Sequence, residues 1–243
     1  AVVSHVRRIH AVENAFSVAA LGSDTSAIGF DLREISRLAD DSPCLCLDSA
    51  LDKRIIAAID AARRDRNTVG GVFEVIALGL PVGLGSYVHW ERKLDARISR
   101  AMMSIPAMKG VEIGLGFEAA SRFGSEVHDP IYYDQDRSVF YRSSNHAGGL
   151  EGGVTNGMPL VVRVAMKPIS TLMRPLDSAD LETKEAKPAH VERSDVCAVP
   201  AASIIGEAIL ALTLFDAFLE KFGGDSMSEI KRNFKTWQRE SKR

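Results

Sequence analysis

The sequence contains little cysteine, few aromatic residues and no excess of either charge. Of its 243 residues, three are cysteine, 7% are aromatic, 30 are Lys or Arg and 32 are Asp or Glu, so the formal net charge is −2. Cys44 and Cys46 flank a single leucine and Cys197 is distant in sequence, which is not a zinc-binding spacing. We expect reduced thiols in a cytoplasmic protein, with no metal site. A net charge this small provides no overall attraction to nucleic acid.

Long uninterrupted apolar runs and the common catalytic signatures are also absent. No stretch of ~18 consecutive apolar residues occurs, so the sequence predicts no membrane span and no membrane partner. The six histidines are scattered, without the spacing of metal ligands on a helix. Neither a phosphate-binding loop with its lysine nor a G-x-S-x-G nucleophile motif is found. Function must therefore be inferred from the segments that are present.

Apolar periodicity divides the chain into alternating strands and helices, which indicates an α+β fold. Strands are predicted at residues 2–9, 72–78, 109–117 and, with one face exposed, 158–168. The first helix is predicted at 30–41, with Phe30 on its apolar face and Asp31 as its N-cap. Further helices are predicted at 46–68, 90–105, 116–124, 203–222 and 226–242. Residues 128–138 and 176–189 are expected to be turns and connections.

One stretch, SSNHAGGLEGGVTNG (residues 143–157), allows three interpretations: a phosphate cradle, a hinge or a long turn. Five glycines fall within ten residues of it, namely Gly148, Gly149, Gly152, Gly153 and Gly157. The stretch lacks the G-K-[ST] ending of a phosphate-binding loop, so a tight double turn is favoured. Ordering so many glycines is nevertheless expensive in backbone entropy, and two more unusual segments follow.

The two segments that follow carry cations, hydroxyl groups and one acid. AMKPIST presents Lys167 and then the hydroxyls of Ser170 and Thr171, and ERSDVCAVPAA presents Arg193 and Asp195 just before a helix. Lys and Arg are the usual ligands of phosphate and other anions. If Asp195 and Arg193 face one pocket, the cation would keep the acid ionised. An equally weighted alternative is that Asp195 is a helix N-terminal acid that complements the helix dipole.

Taken together, these strings make the chain recognisable. NHAGGLEGGVTNG, AMKPIST and RSDVCAVPAA, with GGVFEVIALGLPVGLGS and AMKGVEIGLGF, closely resemble chorismate synthase, in the family's order and over about residues 2–233. The resemblance implies a β-α-β sandwich, with helices between antiparallel sheets, and a homotetramer. It also implies that residues 1–243 are the C-terminal portion of a single domain.

The activity implied by the resemblance is the formation of chorismate in the shikimate pathway of aromatic amino acid biosynthesis. Phosphate and a proton are lost from 5-enolpyruvylshikimate 3-phosphate in a 1,4-anti elimination that requires reduced FMN. Asp195 matches the family aspartate proposed to assist proton removal. The implied flavin contacts are Pro106, Ala107, Gly152, Lys167, Pro168, Ile169, Ser170, Thr171 and Arg193. The resemblance leaves open whether the protein reduces its own flavin, with NADPH, or relies on a separate flavin reductase.

One departure from the family pattern sets an expectation about activity. The Ser-His-Gly and Arg-Ser-Ser motifs of the family, its substrate arginines and its two working histidines have no counterpart in these residues. His146, inside the glycine stretch, matches neither histidine. The isolated chain is therefore expected to lack a complete active site. The competing hypothesis is a non-catalytic assembly module that keeps the fold and the subunit contacts.

Overall fold

A five-stranded antiparallel sheet forms the centre of the computed structural model, which describes residues 1–14 and 32–240. Its strands are β1 (Val2–Ile9), β2 (Val12–Glu13), β3 (Gly71–Ala77), β4 (Met108–Ile113) and β9 (Leu160–Met166), in the order β2-β1-β3-β9-β4. Three two-stranded hairpins accompany it: β5 (Ile131–Asp134) with β6 (Val139–Arg142), β7 (Leu150–Glu151) with β8 (Val154–Thr155), and β10 (Asp177–Ala179) with β11 (Ala186–Pro188). The predicted α+β fold with antiparallel sheets is confirmed.

Helices pack on both faces of the sheet. They are α1 (Leu32–Asp40), α2 (Ser49–Arg64), α3 (Leu94–Met103), α4 (Gly124–Val127), α5 (Val199–Phe222) and α6 (Met227–Glu240). The main hydrophobic core joins one sheet face to apolar residues of α2, α3, α5 and α6. A smaller core on the other face consists of Val3, Ile76 and Val161 in one cross-strand row, covered by Ile35 of α1.

The prediction of a half-exposed strand at 158–168 holds for only part of β9. Val161 and Val164 lie on opposite faces of β9, and both are fully buried. On the face that the sequence assigned to solvent, Ile35 of α1 covers Val161, whereas Arg163 and Ala165 remain partly exposed. The glycine-closed helix at 116–124 is also wrong: a 3-10 helix spans Gly116–Ser121, and Gly124 begins α4. Phe30 and Asp31 lie outside the described residues.

A row of charged and ionisable side chains crosses the sheet beside the smaller core. His5, Glu74, Arg163 and Glu112 are cross-strand neighbours on β1, β3, β9 and β4. His5 Nε2 lies 3.1 Å from Glu74 Oε1, and neither side chain is exposed. Arg163 Nη2 lies 3.4 Å from Glu112 Oε2 and donates to the carbonyls of Gly114 and Leu115. Pairing within the row offsets only part of the cost of burial, because His5 Nδ1, Glu74 Oε2 and Arg163 Nε find no hydrogen-bond partner among the described residues.

Helix α5 is apolar on two opposite faces. Its inner face packs on β1 and β3, and a Cβ at Gly206 would come within 2.5 Å of the Phe73 ring, so the helix lies very close to the sheet. Its outer face leaves Ile204, Leu212 and Phe215 exposed. In the described part of the chain, α5 is the one helix long and apolar enough to cross a membrane, with a mean hydropathy of 1.8. Length and composition do not distinguish such a span from a core helix, and the inner face of α5 is core.

Candidate functional site

The segment 167–171 leaves the end of β9 and is held by its neighbours through backbone contacts. The Lys167 N–H donates to the carbonyl of Ala107 at 3.0 Å, in the turn after α3. On the other side, the Thr68 hydroxyl donates to the Ile169 carbonyl at 2.6 Å. Ala107 has a φ of 70°, the left-handed region that non-glycine residues seldom occupy, which indicates a constrained turn. The structure thus joins two of the sequence-predicted segments, 106–107 and 167–171.

Gly70 allows this segment to approach β3. A Cβ placed on Gly70 would lie 2.2 Å from the Met166 carbonyl oxygen and 2.8 Å from both the Lys167 carbonyl carbon and the Pro168 nitrogen. No side chain fits at such distances, because the nearest atoms belong to backbone rather than to a flexible side chain. Glycine at this position therefore sets the path of the chain through Lys167 and Pro168.

The segment 193–197 joins the same cluster. The Ser194 hydroxyl donates to the Thr171 carbonyl at 2.7 Å, and the Val69 N–H donates to the Val196 carbonyl at 2.9 Å. Arg193 and Asp195 are both exposed, and no ion pair joins them in the described part of the chain. The expectation that Arg193 holds Asp195 in one pocket is therefore not met by a direct contact.

Two cavities border these segments. The larger cavity, of about 500 Å³, lies between segment 167–171 and the alanine-rich face of α2. Its lining includes Ala58, Ala61, Asp65, His10, Pro168 and Ile169. A smaller cavity of about 210 Å³ is lined by residues that include Arg63, Arg66, Thr68, Met173 and Ser194. Asn67 and Thr68 line both cavities.

The two cavities differ in charge: Asp65 lines the larger one, whose described lining includes no Lys or Arg, whereas Arg63 and Arg66 line the smaller one. Five cations lie on the bordering segments: Arg63, Arg66, Lys167, Arg174 and Arg193. Within the described residues, only Arg63 of these forms an ion pair, with Asp60 at 2.8 Å. The acids on or directly beside the same segments are Asp60, Asp65, Glu192 and Asp195. An exposed surface with unpaired cations is suited to anions that carry phosphate or carboxylate groups.

The structure does not bring Gly152 to this cluster. Gly152 lies in the β7–β8 hairpin, whose Gly153 carbonyl accepts from the Leu94 N–H at 2.8 Å, at the first residue of α3. Ala107 instead follows the last turn of α3. The ten residues of α3 separate the two ends by roughly 15 Å. The flavin contact predicted at Gly152 remains a prediction.

The glycine stretch is a set of tight turns organised by a buried acid. The carboxylate of Asp129 accepts hydrogen bonds from the Ser144 hydroxyl, from the His146 N–H at 2.8 Å and from the Ala147 N–H at 2.9 Å. Burial alone would raise the pKa of Asp129, but these hydrogen bonds and the nearby His146 outweigh it, so the pKa lies below its ordinary value. Asn145, fully buried, bonds Pro159 and Gly149 and fixes the stretch to β9.

Sequence reasoning missed the residues that hold the cluster together. Thr68 and Ile169 are 101 positions apart, so no local spacing could pair them. The available signal was the Gly70–Gly71 pair at the start of a buried strand, since an interior strand glycine often marks a close backbone approach. Ser194 was noted only as a neighbour of Arg193 and Asp195, and its structural role is to anchor Thr171.

The fold and the loop cluster define an α+β protein with an exposed cationic site, built where three distant loops meet beside the central sheet. The family model of chorismate synthase matches residues 1–219. The chain belongs to the chorismate synthase family.

Individual relatives agree with this assignment. The chain is 59% identical over 209 residues to chorismate synthase from Geobacter sulfurreducens, covering 84% of this chain and 53% of the relative. It is 50% identical over 236 residues to chorismate synthase from Carboxydothermus hydrogenoformans, covering 97% of this chain and 58% of the relative. A crystal structure of chorismate synthase superposes with a TM-score of 0.81 at 42% identity, covering 99% of this chain and 63% of that one. The chain thus spans between half and two thirds of the length of these relatives.

Proposed function

We propose that this chain supplies the cofactor-binding part of a chorismate synthase, as the C-terminal portion of one catalytic domain. The proposed reaction removes phosphate and a proton from 5-enolpyruvylshikimate 3-phosphate to give chorismate, with reduced FMN as cofactor. The observation that carries the proposal is the convergence of Ala107, segment 167–171 and Ser194, where Pro168 and Ile169 line a cavity of about 500 Å³ and Ser194 lines a smaller one. Both the cofactor and the substrate carry phosphate, and the bordering loops present Lys167 and Arg193, which form no ion pair within the described residues.

The residues of the cluster are of two kinds: cationic side chains that can bind a phosphate group, and side chains that hold the backbone in place. Lys167 and Arg193 are exposed and form no ion pair among the described residues, so their charge is available to a phosphate. The backbone between them is immobilised through Thr68 and Ser194, which reduces the ordering cost of binding. Reduced flavin, when bound, would supply transient electron density while the allylic phosphate departs.

Asp195 is the proposed proton-removing group. It is exposed, lies two residues after Arg193 and immediately precedes Val196, whose carbonyl is fixed by Val69. A carboxylate whose backbone is held at the next residue can accept a proton from a correctly bound substrate or cofactor. Asp195→Asn removes that capacity at nearly constant volume. In a full-length enzyme it should lower kcat by roughly 10²-fold or more while flavin affinity changes little.

We also propose that the isolated 243-residue chain turns over little or no substrate. Lys167, Arg193 and Asp195 are all exposed, and catalysis that depends on charge stabilisation requires a site that excludes water. The residues that longer relatives contain in addition would complete the site. Robust chorismate production by the isolated chain with substrate and reduced FMN would refute this. A chain that binds no flavin yet still associates would instead be an assembly module.

Flavin titration tests the cofactor assignment directly. FMN binding to the chain, followed by flavin fluorescence, should weaken about tenfold in Lys167→Gln and in Arg193→Gln, because each removes a charge-assisted contact to phosphate. Lys231→Gln on α6 is the matched control, since it removes an equivalent exposed cation elsewhere. Riboflavin, which lacks the phosphate, should bind all four proteins with similar affinity. Equal losses in all three variants would show that only overall charge matters and would contradict the assignment.

The remaining assignments concern the setting of the enzyme. We propose a cytoplasmic homotetramer whose flavin is reduced either by the protein itself with NADPH or by a separate reductase. No nucleic acid or membrane partner is proposed. Oxidation of NADPH by the full-length protein and FMN, without added reductase, would assign the reduction to the protein itself.

A further inference from the structure

Three segments of the candidate site, residues 66–70, 167–174 and 193–197, are joined to one another pairwise by hydrogen bonds. The bonds run from Thr68 Oγ1 to the Ile169 carbonyl at 2.6 Å, from the Val69 N–H to the Val196 carbonyl at 2.9 Å, and from Ser194 Oγ to the Thr171 carbonyl at 2.7 Å. Each segment is therefore bonded to both of the others, and the three bonds form a closed triangle. Displacement of one segment relative to the other two must break at least one of these bonds.

Segment 66–70 is the corner of this triangle that is anchored in regular structure. The Asn67 N–H donates to the Ala62 carbonyl at 2.8 Å, in the last turn of α2, and the Gly70 carbonyl accepts from the His10 N–H at 2.9 Å, directly after β1. In the other two segments, no residue is fully buried. Hydrogen bonds to segment 66–70 therefore contribute much of what fixes their positions.

Thr68 forms the hydrogen bond between segments 66–70 and 167–174 that a side-chain substitution can remove. The residue is 8% exposed and lines both cavities, so its side chain lies between the two spaces that border the site. Without the hydroxyl, the Ile169 carbonyl would lose its donor, and the hold on its segment would weaken.

We propose that Thr68 is a positioning residue for flavin binding and for proton removal. Ile169 lies two residues after Lys167, and the carbonyl bonded by Val69 belongs to the residue after Asp195. The consecutive residues Thr68 and Val69 thus set the spacing between the two functional side chains. A site held in its binding geometry before the ligand arrives loses less conformational entropy on binding, and a displaced catalytic group lowers the rate. The inference rests on the proposed function, because it takes Lys167 as a phosphate ligand and Asp195 as the proton acceptor.

A small set of substitutions isolates the effect of the hydroxyl group. Thr68→Val replaces the hydroxyl with a methyl group of similar volume, and Thr68→Ser keeps the hydroxyl. Thr213→Val is the matched control, because Thr213 Oγ1 donates a comparable bond to the Ile209 carbonyl at 2.8 Å, more than halfway along α5. Circular dichroism and urea unfolding verify that the variants fold. Should Thr68→Val fail to fold, Thr68→Cys takes its place, since a thiol is only a weak donor.

Hydrogen–deuterium exchange without flavin tests the triangle of bonds itself. The N–H groups of Lys167 and Arg174 are both hydrogen-bonded to backbone carbonyls in the unmodified chain. They should exchange about tenfold faster in Thr68→Val, because a segment held less firmly opens more often. Thr68→Ser and Thr213→Val should match the unmodified chain. Unchanged exchange in Thr68→Val would overturn the proposal, whatever the flavin affinities are.

Flavin titration tests whether the hydroxyl and Lys167 act together. FMN affinity should fall about fivefold in Thr68→Val and recover in Thr68→Ser. Lys167→Gln, expected to weaken binding about tenfold in the unmodified chain, should weaken it only about threefold in a Thr68→Val background, because the ammonium group is no longer held in place. In the full-length enzyme at saturating reduced FMN, Thr68→Val should also lower kcat by about tenfold. Additive effects of the two substitutions, or equal losses in Thr68→Val and Thr68→Ser, would contradict a positioning role.

Failure of this inference can be distinguished from failure of the proposed function. If Lys167→Gln and Arg193→Gln leave FMN affinity unchanged, the cofactor assignment is wrong and the positioning role falls with it. If both weaken FMN binding while Thr68→Val binds FMN and turns over like the unmodified enzyme, the cofactor assignment stands and only the role of Thr68 is refuted.

Discussion

Gly70→Ala is the most direct test of how the site is built. Gly70 precedes β3, and the backbone of Met166 and Lys167 passes directly over it. The added methyl carbon would lie 2.2 Å from the Met166 carbonyl oxygen, a distance that real Cβ contacts do not reach. Either the segment leading to Lys167 or the start of β3 must therefore move.

The magnitude follows from two opposing terms. Forcing an extra methyl group into a packed site costs about 1–3 kcal/mol. Replacing glycine with alanine also restricts the unfolded chain, which stabilises the folded state by about 0.4–1 kcal/mol. Gly110→Ala isolates the second term, because its Cβ would lie 3.6 Å from the Ala165 Cβ, an ordinary contact. We expect Gly110→Ala to be neutral or slightly stabilising and Gly70→Ala to be less stable than it by roughly 1–3 kcal/mol.

Thermal and urea unfolding of the two variants measure this difference. For a chain of this size, 1 kcal/mol corresponds to about 2–4 °C in Tm, so Gly70→Ala should melt roughly 2–12 °C below Gly110→Ala. Its affinity for FMN should also fall, because the displaced segment carries Lys167. Indistinguishable unfolding midpoints for the two variants would mean that the close approach at Gly70 does not exist in solution, and the account of the site would be wrong.

Three further predictions concern groups away from the cavities. The pKa of Asp129 is lower in the folded state than its ordinary value of 3.8. The stabilisation by its carboxylate is therefore complete above pH 3.8 and is lost as the pH falls through the folded-state pKa. Asp129→Asn should remove this pH-dependent part of the unfolding free energy, measured by urea unfolding at several acidic pH values. Burial raises the pKa of Cys44 to about 11 and of Cys46 to about 12, so both thiols should react with a disulfide reagent at pH 8 much more slowly in the folded chain than in urea. The buried Arg97 side chain bridges the carboxylates of Asp216 and Glu220 on α5, both of which are largely exposed. Arg97→Ala should therefore lower the free energy of unfolding in urea by about 1–2 kcal/mol, and the exposed control Arg100→Ala by less than about 0.5 kcal/mol.

Much of the fold was predictable because local periodicity reports burial on one side of an element. The strand at Val2–Ile9 was placed at the correct residues, and the two long C-terminal helices were found, although α5 begins at Val199 rather than at 203. The β5–β6 hairpin was not predicted, since its strands are four residues long and both faces are apolar. A strand without alternation has no period-2 signal.

The candidate site was predictable as a set of segments but not as a geometry. Lys167 and Arg193 were identified by their chemistry, and the structure places their segments on either side of the Thr171–Ser194 hydrogen bond. Thr68 and Gly70 could not be found in this way, because their importance lies in contacts about 100 positions away. Residue type and spacing describe what one segment can do, whereas a site assembled from three loops is determined by tertiary packing.

The glycine stretch shows how the structure separates packing glycines from one that is accessible. A Cβ on Gly148 would meet the Gly114 backbone at 2.2 Å, and one on Gly149 would meet the Pro159 oxygen at 2.6 Å. These glycines are required by close contacts within the chain, as a turn predicts. Gly152 differs, because nothing lies within 4 Å of its Cβ position, and only its φ of 61° favours glycine. A ligand or a second protein molecule can therefore reach the backbone at Gly152, while the chain itself already occupies the space beside Gly148 and Gly149.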